Sequence, residues 1–181
     1  MVAVQNSFPK DANSVAITYG GLITTDAQTL VGSGATVAVP LFTVTGAIEV
    51  TALYGVITTT LQNCTATYWR TNDGSTQNDI TASSGTSLTN AIKGGIIAKK
   101  TTKGTALTLI AGTSAQVDES TANLPFFQPF VIQANAAATS NIEFVYTTSD
   151  TPTTGAITFY IRWAPIATIN NGVMGGNVTA L

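Results

Sequence analysis

The ionisable side chains of this chain are few: nine carboxylates, seven lysines and arginines, one cysteine and no histidine. Carboxylate chemistry on glycosidic bonds needs two acids facing one bond. Of Asp11, Asp26, Glu49, Asp73, Asp79, Asp118, Glu119, Glu143 and Asp150, most fall in predicted loops. Glu49 and Glu143 fall in predicted strands and are the two that could meet across a sheet. The plainer reading puts each on an exposed strand face or beside Arg70 or Arg162. A nucleophilic thiol needs an activating base or a positive environment. Without a histidine to serve Cys64, a buried, inert thiol beside Tyr68 and Trp69 is expected. These residues predict no active site and no cofactor, and the chain reads as non-enzymatic.

Two further groups bear on binding. Asn72-Asp73-Gly74-Ser75-Thr76-Gln77-Asn78-Asp79 gathers oxygen ligands around a glycine. Calcium favours such clusters, but the spacing lacks the alternate acids and closing glutamate of an EF-hand loop. Asx turns alone account for the composition. With Tyr68 and Trp69, the residues Asn72, Asp73 and Asp79 could instead form a sugar platform. The second group is basic and aromatic. Lys93, Lys99, Lys100 and Lys103 are four of the seven bases, three of them at the tip of a predicted hairpin. Phe126, Phe127 and Phe130 follow, interleaved with Pro125 and Pro129. Lys99, Lys100, Lys103, Phe126, Phe127 and Phe130 form the candidate interface. A solvated loop tip and ordinary core packing are the alternatives for the two halves of that set. Asn63-Cys64-Thr65 and Asn177-Val178-Thr179 fit the glycosylation pattern, as chance allows in a chain with 33 threonines.

These groups sit in an unusual background. Of 181 residues only 9% are charged and the net charge is −2, where about 25% charged is ordinary. Seven scattered bases cannot make a nucleic-acid footprint. One cysteine excludes an intrachain disulfide framework and a cysteine-based zinc cluster. No apolar run approaches the ~18 residues that cross a bilayer, and the start lacks a basic region followed by an apolar stretch, so no secretory signal is expected. Thr, Ser, Asn and Gln together supply 63 residues, and Val, Ile and Thr supply 62. β-Branched side chains are stiff at χ1 and suit a pleated surface. A neutral, hydroxyl-rich surface suits a subunit packed against neighbours, because burying a charge is costly unless it is paired.

The elements that must position these residues are strands. Val15, Ile17 and Tyr19 alternate up to Gly20-Gly21. Ala35–Pro40 and Leu41–Thr45 read as two short runs around Pro40, which marks an edge, a bend or a switch between sheets. Ile48–Leu61 is apolar on both parities, as a central strand between two layers should be. Cys64–Arg70 alternates and reads as its paired neighbour. A short helix over Ser87–Lys93 is a weak option. Ile96–Ala98 and Ala106–Ile110 flank the basic hairpin tip, and Ile142–Thr147 with Ala156–Trp163 reads as a closing hairpin. Eight to ten strands at ten- to fifteen-residue spacing predict an all-β fold, an antiparallel β-sandwich, with jelly roll the first choice and an immunoglobulin-like sandwich the second. The expected organisation is an N-terminal arm over 1–12, a β-sandwich domain over 13–168 and an extended C-terminal arm over 169–181.

The run Val39-Pro40-Leu41-Phe42-Thr43-Val44-Thr45-Gly46, followed by Ile48-Glu49-Val50 and Thr58-Thr59-Thr60-Leu61, resembles small structural proteins of tailed-phage virions. Ile157-Thr158-Phe159-Tyr160-Ile161-Arg162-Trp163 resembles the last strand of such β-sandwich proteins. The resemblance covers about a third of the chain and transfers no functional residue. It implies a virion component of the capsid cement or decoration type, made in the host cytoplasm and seated on the capsid surface. Such proteins are often jelly-roll trimers that bridge capsomers of the major capsid protein through terminal arms. A receptor- or carbohydrate-binding β-sandwich of a phage tail or head fibre is the alternative. Neither reading involves direct nucleic-acid binding or a membrane.

Overall fold

The computed structural model describes residues 20–83, 85–100, 104–110, 127–135, 138–148, 151–166 and 176–181. The expected N-terminal arm, the strand over Val15–Tyr19, Phe126 and Lys103 lie outside the described residues. Among those described, the chain is all-β, with eleven strands, no helix and antiparallel pairing throughout. Among the described residues no helix is long and apolar enough to cross a membrane.

The strands are β1 (Leu22–Thr24), β2 (Gln28–Thr29), β3 (Thr36–Gln62), β4 (Cys64–Asn72), β5 (Gln77–Asp79), β6 (Ile96–Ala98), β7 (Thr108–Ile110), β8 (Phe130–Gln133), β9 (Ser140–Thr148), β10 (Thr154–Pro165) and β11 (Gly176–Ala180). β3 organises them. Its first part pairs with β9 along Thr36–Val44 and with β11 along Phe42–Gly46. Its second part pairs with β10 along Ile48–Gln62, with β8 along Ala47–Val50 and with β6 along Tyr54–Val56. The partners change at Gly46-Ala47. Gly46 has φ +64° there, a conformation that favours glycine. Two ladders result. One runs β11–β3–β9–β4–β5 and the other has β1 and β2 on β10, then β3, then β6–β7 and β8.

Several sequence expectations change here. The two runs around Pro40 are one strand with a register shift between Pro40 and Phe42, and the change of ladder comes six residues later, at Gly46. Cys64–Arg70 is not paired with Ile48–Leu61: Asn63, at φ +53°, turns the chain so that β4 enters the ladder of β9. The closing hairpin does not form either. β9 and β10 each pair with a different part of β3. The option of a helix over Ser87–Lys93 gives way to turns that bury Leu88 and Ala91. The hairpin expected of Ile96–Ala98 with Ala106–Ile110 is present as β6–β7, its second strand beginning at Thr108. Of the expected C-terminal arm, Gly176–Ala180 is a strand along β3, with Val178 only 3% exposed.

The core unites the two ladders. Phe144 of β9 lies 5.0 Å from Phe159 of β10 between ring centroids. Trp69 of β4 meets Phe144 at 6.0 Å and the edge of Phe159 at 6.5 Å. Leu41, Phe42, Ile48, Leu53, Ile57 and Leu61 of β3 are fully buried around them. The Tyr146 hydroxyl, also buried, donates to Val31 O at 2.7 Å and accepts from Val31 N at 3.0 Å. That exchange ties the segment after β2 to β9.

Because Phe159 is the ring that touches both Phe144 and Trp69, its truncation opens a cavity that neither ladder can close alone. Phe159→Ala is expected to cost about 3–5 kcal/mol of unfolding free energy, read as a lower denaturant midpoint with an unchanged slope.

Candidate functional site

The expected interface residues separate into two places. Lys99 directly follows β6, its N–H donating to Leu53 O at 3.1 Å. The residue is 4% exposed, and its ammonium lies 4.6 Å from the centroid of the Phe130 ring. They share a cavity of about 250 Å³ with Thr71, Asn78 and Asp79 of β4–β5 and with Val131 and Gln133 of β8. This is the seam where β8 of one ladder faces β4 and β5 of the other. Burial pushes the Lys99 ammonium below its ordinary pKa, and the aromatic face offsets part of that desolvation, by about 0.5–2 kcal/mol. The hairpin-tip reading of Lys99 is therefore corrected: the side chain closes a seam. Lys100 beside it is half-exposed.

Phe127 belongs to the second place. Its ring lies 5.6 Å from Tyr54, and Tyr54 stacks on Tyr160 at 4.8 Å with 6° between planes. Thr51, Ala52, Ile96 and Arg162 complete a cavity of about 400 Å³ there. Burial raises the Tyr54 phenol above its ordinary pKa, Tyr160 adds to the rise, and the Arg162 guanidinium offsets part of it. Sequence reasoning placed Tyr54 and Tyr160 in strands without a role, and read Arg162 only as a candidate partner of a strand carboxylate. Their parity was visible. Their meeting depends on the register Tyr160↔Tyr54 and Arg162↔Ala52 between β10 and β3.

The two strand carboxylates do not meet. Glu143 on β9 stands opposite Arg70 on β4. Its Oε2 accepts from Arg70 Nε at 2.7 Å and its Oε1 from Asn72 Nδ2 at 2.9 Å. Both carboxylate oxygens are engaged and the charge is neutralised, which makes this pair a structural clamp. Glu49 lies in the other ladder, exposed, between Val131 and Ala164.

The Asn72–Asp79 loop spends its oxygens on turns. Asn72 Oδ1 accepts from Gly74 N at 2.9 Å, and Asp73 Oδ1 from Ser75 N at 2.9 Å and Thr76 N at 2.7 Å. Asp73 Oδ2 accepts from Asn135 Nδ2 at 2.9 Å. The Asn135 bond, then those from Thr76 and Ser75, hold the Asp73 carboxyl below its ordinary pKa. Among the described residues no three His, Cys, Asp or Glu side chains gather to hold a metal ion. Trp69 is fully buried, so the sugar platform read around it lacks its central ring.

Cys64 is buried and without a disulfide, and burial pushes its thiol from 9.0 up to about 12. Between those two values the unfolded chain loses the proton while the folded chain keeps it. Stability therefore falls as pH rises through that window, by up to about 1.4 kcal/mol per pH unit. Cys64→Ala is expected to flatten the Cys64 share of this decline in denaturation curves measured from pH 8 to 11. The native thiol should also resist a disulfide reagent at pH 8 and react once the chain is unfolded. Comparison with models of known protein families, with curated proteins and with solved structures gives no match.

Proposed function

We propose that this chain is a virion structural protein: a capsid cement or decoration protein of a bacteriophage that binds the outer capsid and stabilises it by bridging neighbouring capsomers. In this reading the two ladders are the layers of an antiparallel β-sandwich of jelly-roll type. The contacts of Phe144 and Trp69 with Phe159 support two packed layers. The subunits form a homo-oligomer, which the resemblance implies is a trimer, on the major capsid protein.

The observation that carries the proposal is how the chain stays folded with so few charges. Among the described residues there is one ion pair, Arg70–Glu143. The work of surface polarity falls on hydroxyls and amides. Thr36 and Thr147 bond across strands at 3.3 Å, Thr43 donates to Asn141 at 3.2 Å, and Thr65 donates to Thr147 O at 3.0 Å. Such groups enter an interface at little desolvation cost when they keep a bond, whereas lone charges do not. Capsid cementing asks for large, permanently covered contacts, and this surface composition lowers their cost. The arm over 1–12 would add contacts that order on assembly, against an entropic cost that new burial must exceed, whereas the arm over 169–181 already holds β11 along β3.

The C-terminal arm is not a clean test, because removing 169–181 also removes β11. The N-terminal arm is. Full-length chain is expected to sediment as an oligomer and to co-sediment with capsids of the virus that encodes it. A deletion of 1–12 should weaken capsid binding about tenfold or more while leaving the thermal midpoint unchanged. A monomer that ignores capsids overturns the proposal, and saturable binding on a glycan array by that monomer would favour the fibre reading.

A further inference from the structure

The strand register assembles a surface that the function above does not use. In β10, Ile157, Phe159 and Ile161 are buried, so Tyr160 and Arg162 point to the opposite face of the ladder. Residues paired across strands share a face. One row across this outer face is therefore Val131 of β8 and Glu49 of β3, followed by Ala164 of β10. The next row is Ala52 of β3 and Arg162 of β10, followed by Leu22 of β1. Beyond it lies the stacked pair Tyr54 and Tyr160.

Two properties of these rows stand out physically. Leu22 is 51% exposed and Val131 is 61% exposed, two of the four large apolar side chains that the described residues leave so open. Glu49 and Arg162 are both exposed, and neither makes an ion pair among the described residues. Opposite charges thus stand near one another, unpaired, on an apolar face between two exposed aliphatic side chains. Read diagonally, the order is Val131, Glu49, Arg162, Leu22: apolar, acid, base, apolar. Turned end for end it is apolar, base, acid, apolar, which complements the original.

We infer that this outer face is a self-complementary contact joining two copies of the chain about a two-fold axis, with Glu49 of each copy against Arg162 of the other. A two-fold contact uses one patch twice, so each pairing occurs twice. The apolar flanks cover one another, and the tyrosine stack, with Phe127 already against Tyr54, borders the contact. Ring closure into a trimer would use a different patch, so this contact joins monomers, or trimers to one another. The inference deepens the assembly reading by naming one contact, and rests on it only in requiring that copies associate.

The test is a charge exchange in the full chain, read by sedimentation equilibrium at low ionic strength over a range of concentrations. Glu49→Arg sets like charges against Arg162 of the second copy, and Arg162→Glu sets like charges against Glu49. Each single change is expected to weaken the two-fold association about tenfold or more. The double change, Glu49→Arg with Arg162→Glu, is expected to restore most of it. All three variants should keep the wild-type thermal midpoint, since both residues are exposed. If the wild type associates and the single changes leave the association intact, or the double change fails to restore it, the contact is elsewhere and the inference is overturned while the assembly reading stands. A wild-type chain that is monomeric at every concentration overturns both.

Discussion

Everything in this fold depends on one strand belonging to two ladders. β3 runs 27 residues from Thr36 to Gln62, about 90 Å if fully extended. A single flat sheet would leave such a strand exposed on a face along its length. Changing partners at Gly46-Ala47 lets its first part bury Leu41, Phe42 and Val44 with β9, and its second part bury Leu53 and Ile57 with β10. Five other strands pair with it directly. The aromatic contacts of Phe159 with Phe144 and Trp69 then join what β3 has separated.

The same division explains the fate of the charges. Glu143 sits within the ladder of β9 and β4, 7% exposed. There it requires its ion pair with Arg70 and the amide of Asn72, because a buried carboxylate without partners would be too costly to keep. Lys99 meets the same constraint at the seam and turns its ammonium to an aromatic face. Glu49 and Arg162, on the outer face, are exposed and form no ion pair among the described residues. In the inferred two-fold contact these two opposite charges would contribute to specificity between molecules.

Local patterns were readable and pairings were not. The β class, the β6–β7 hairpin, the apolar parity of Ile48–Leu61, the Asx turns of Asn72–Asp73 and the buried thiol all follow from residue type and spacing. The pairing of β3 with β4, and of β9 with β10, was expected because neighbours in sequence usually pair. Both expectations failed for one reason: when a single strand serves two ladders, consecutive strands are divided between them. Asn63 is a residue type that tolerates its positive φ, but that tolerance does not say which ladder the following strand joins. The candidate site suffered similarly. Lys99 looked like a loop-tip residue because its neighbours Lys100, Thr101 and Thr102 are polar, and its burial comes from β8, β4 and β5, which approach from elsewhere in the chain. The Tyr54–Tyr160 stack needed a register that periodicity cannot supply.

That register also makes the outer face rigid. The face residues Tyr54 and Ala52 alternate on β3 with Leu53 and Gly55, which look inward. Gly55 is packed so closely that a Cβ there would lie 2.8 Å from Ile157 and 3.0 Å from Phe159. The side chains of Ile157 and Phe159, from the neighbouring strand β10, close over β3 on its inner face at this point, and the outward side chains of β3 inherit that position. Glu49 and Arg162 are held in the same way, by strands whose alternate residues, Val50 and Ile161, are fully buried. Backbone on such elements keeps its spacing when a partner arrives, so the ordering that opposes association is confined to the exposed side chains themselves. A contact placed on a loop would have to supply that order itself.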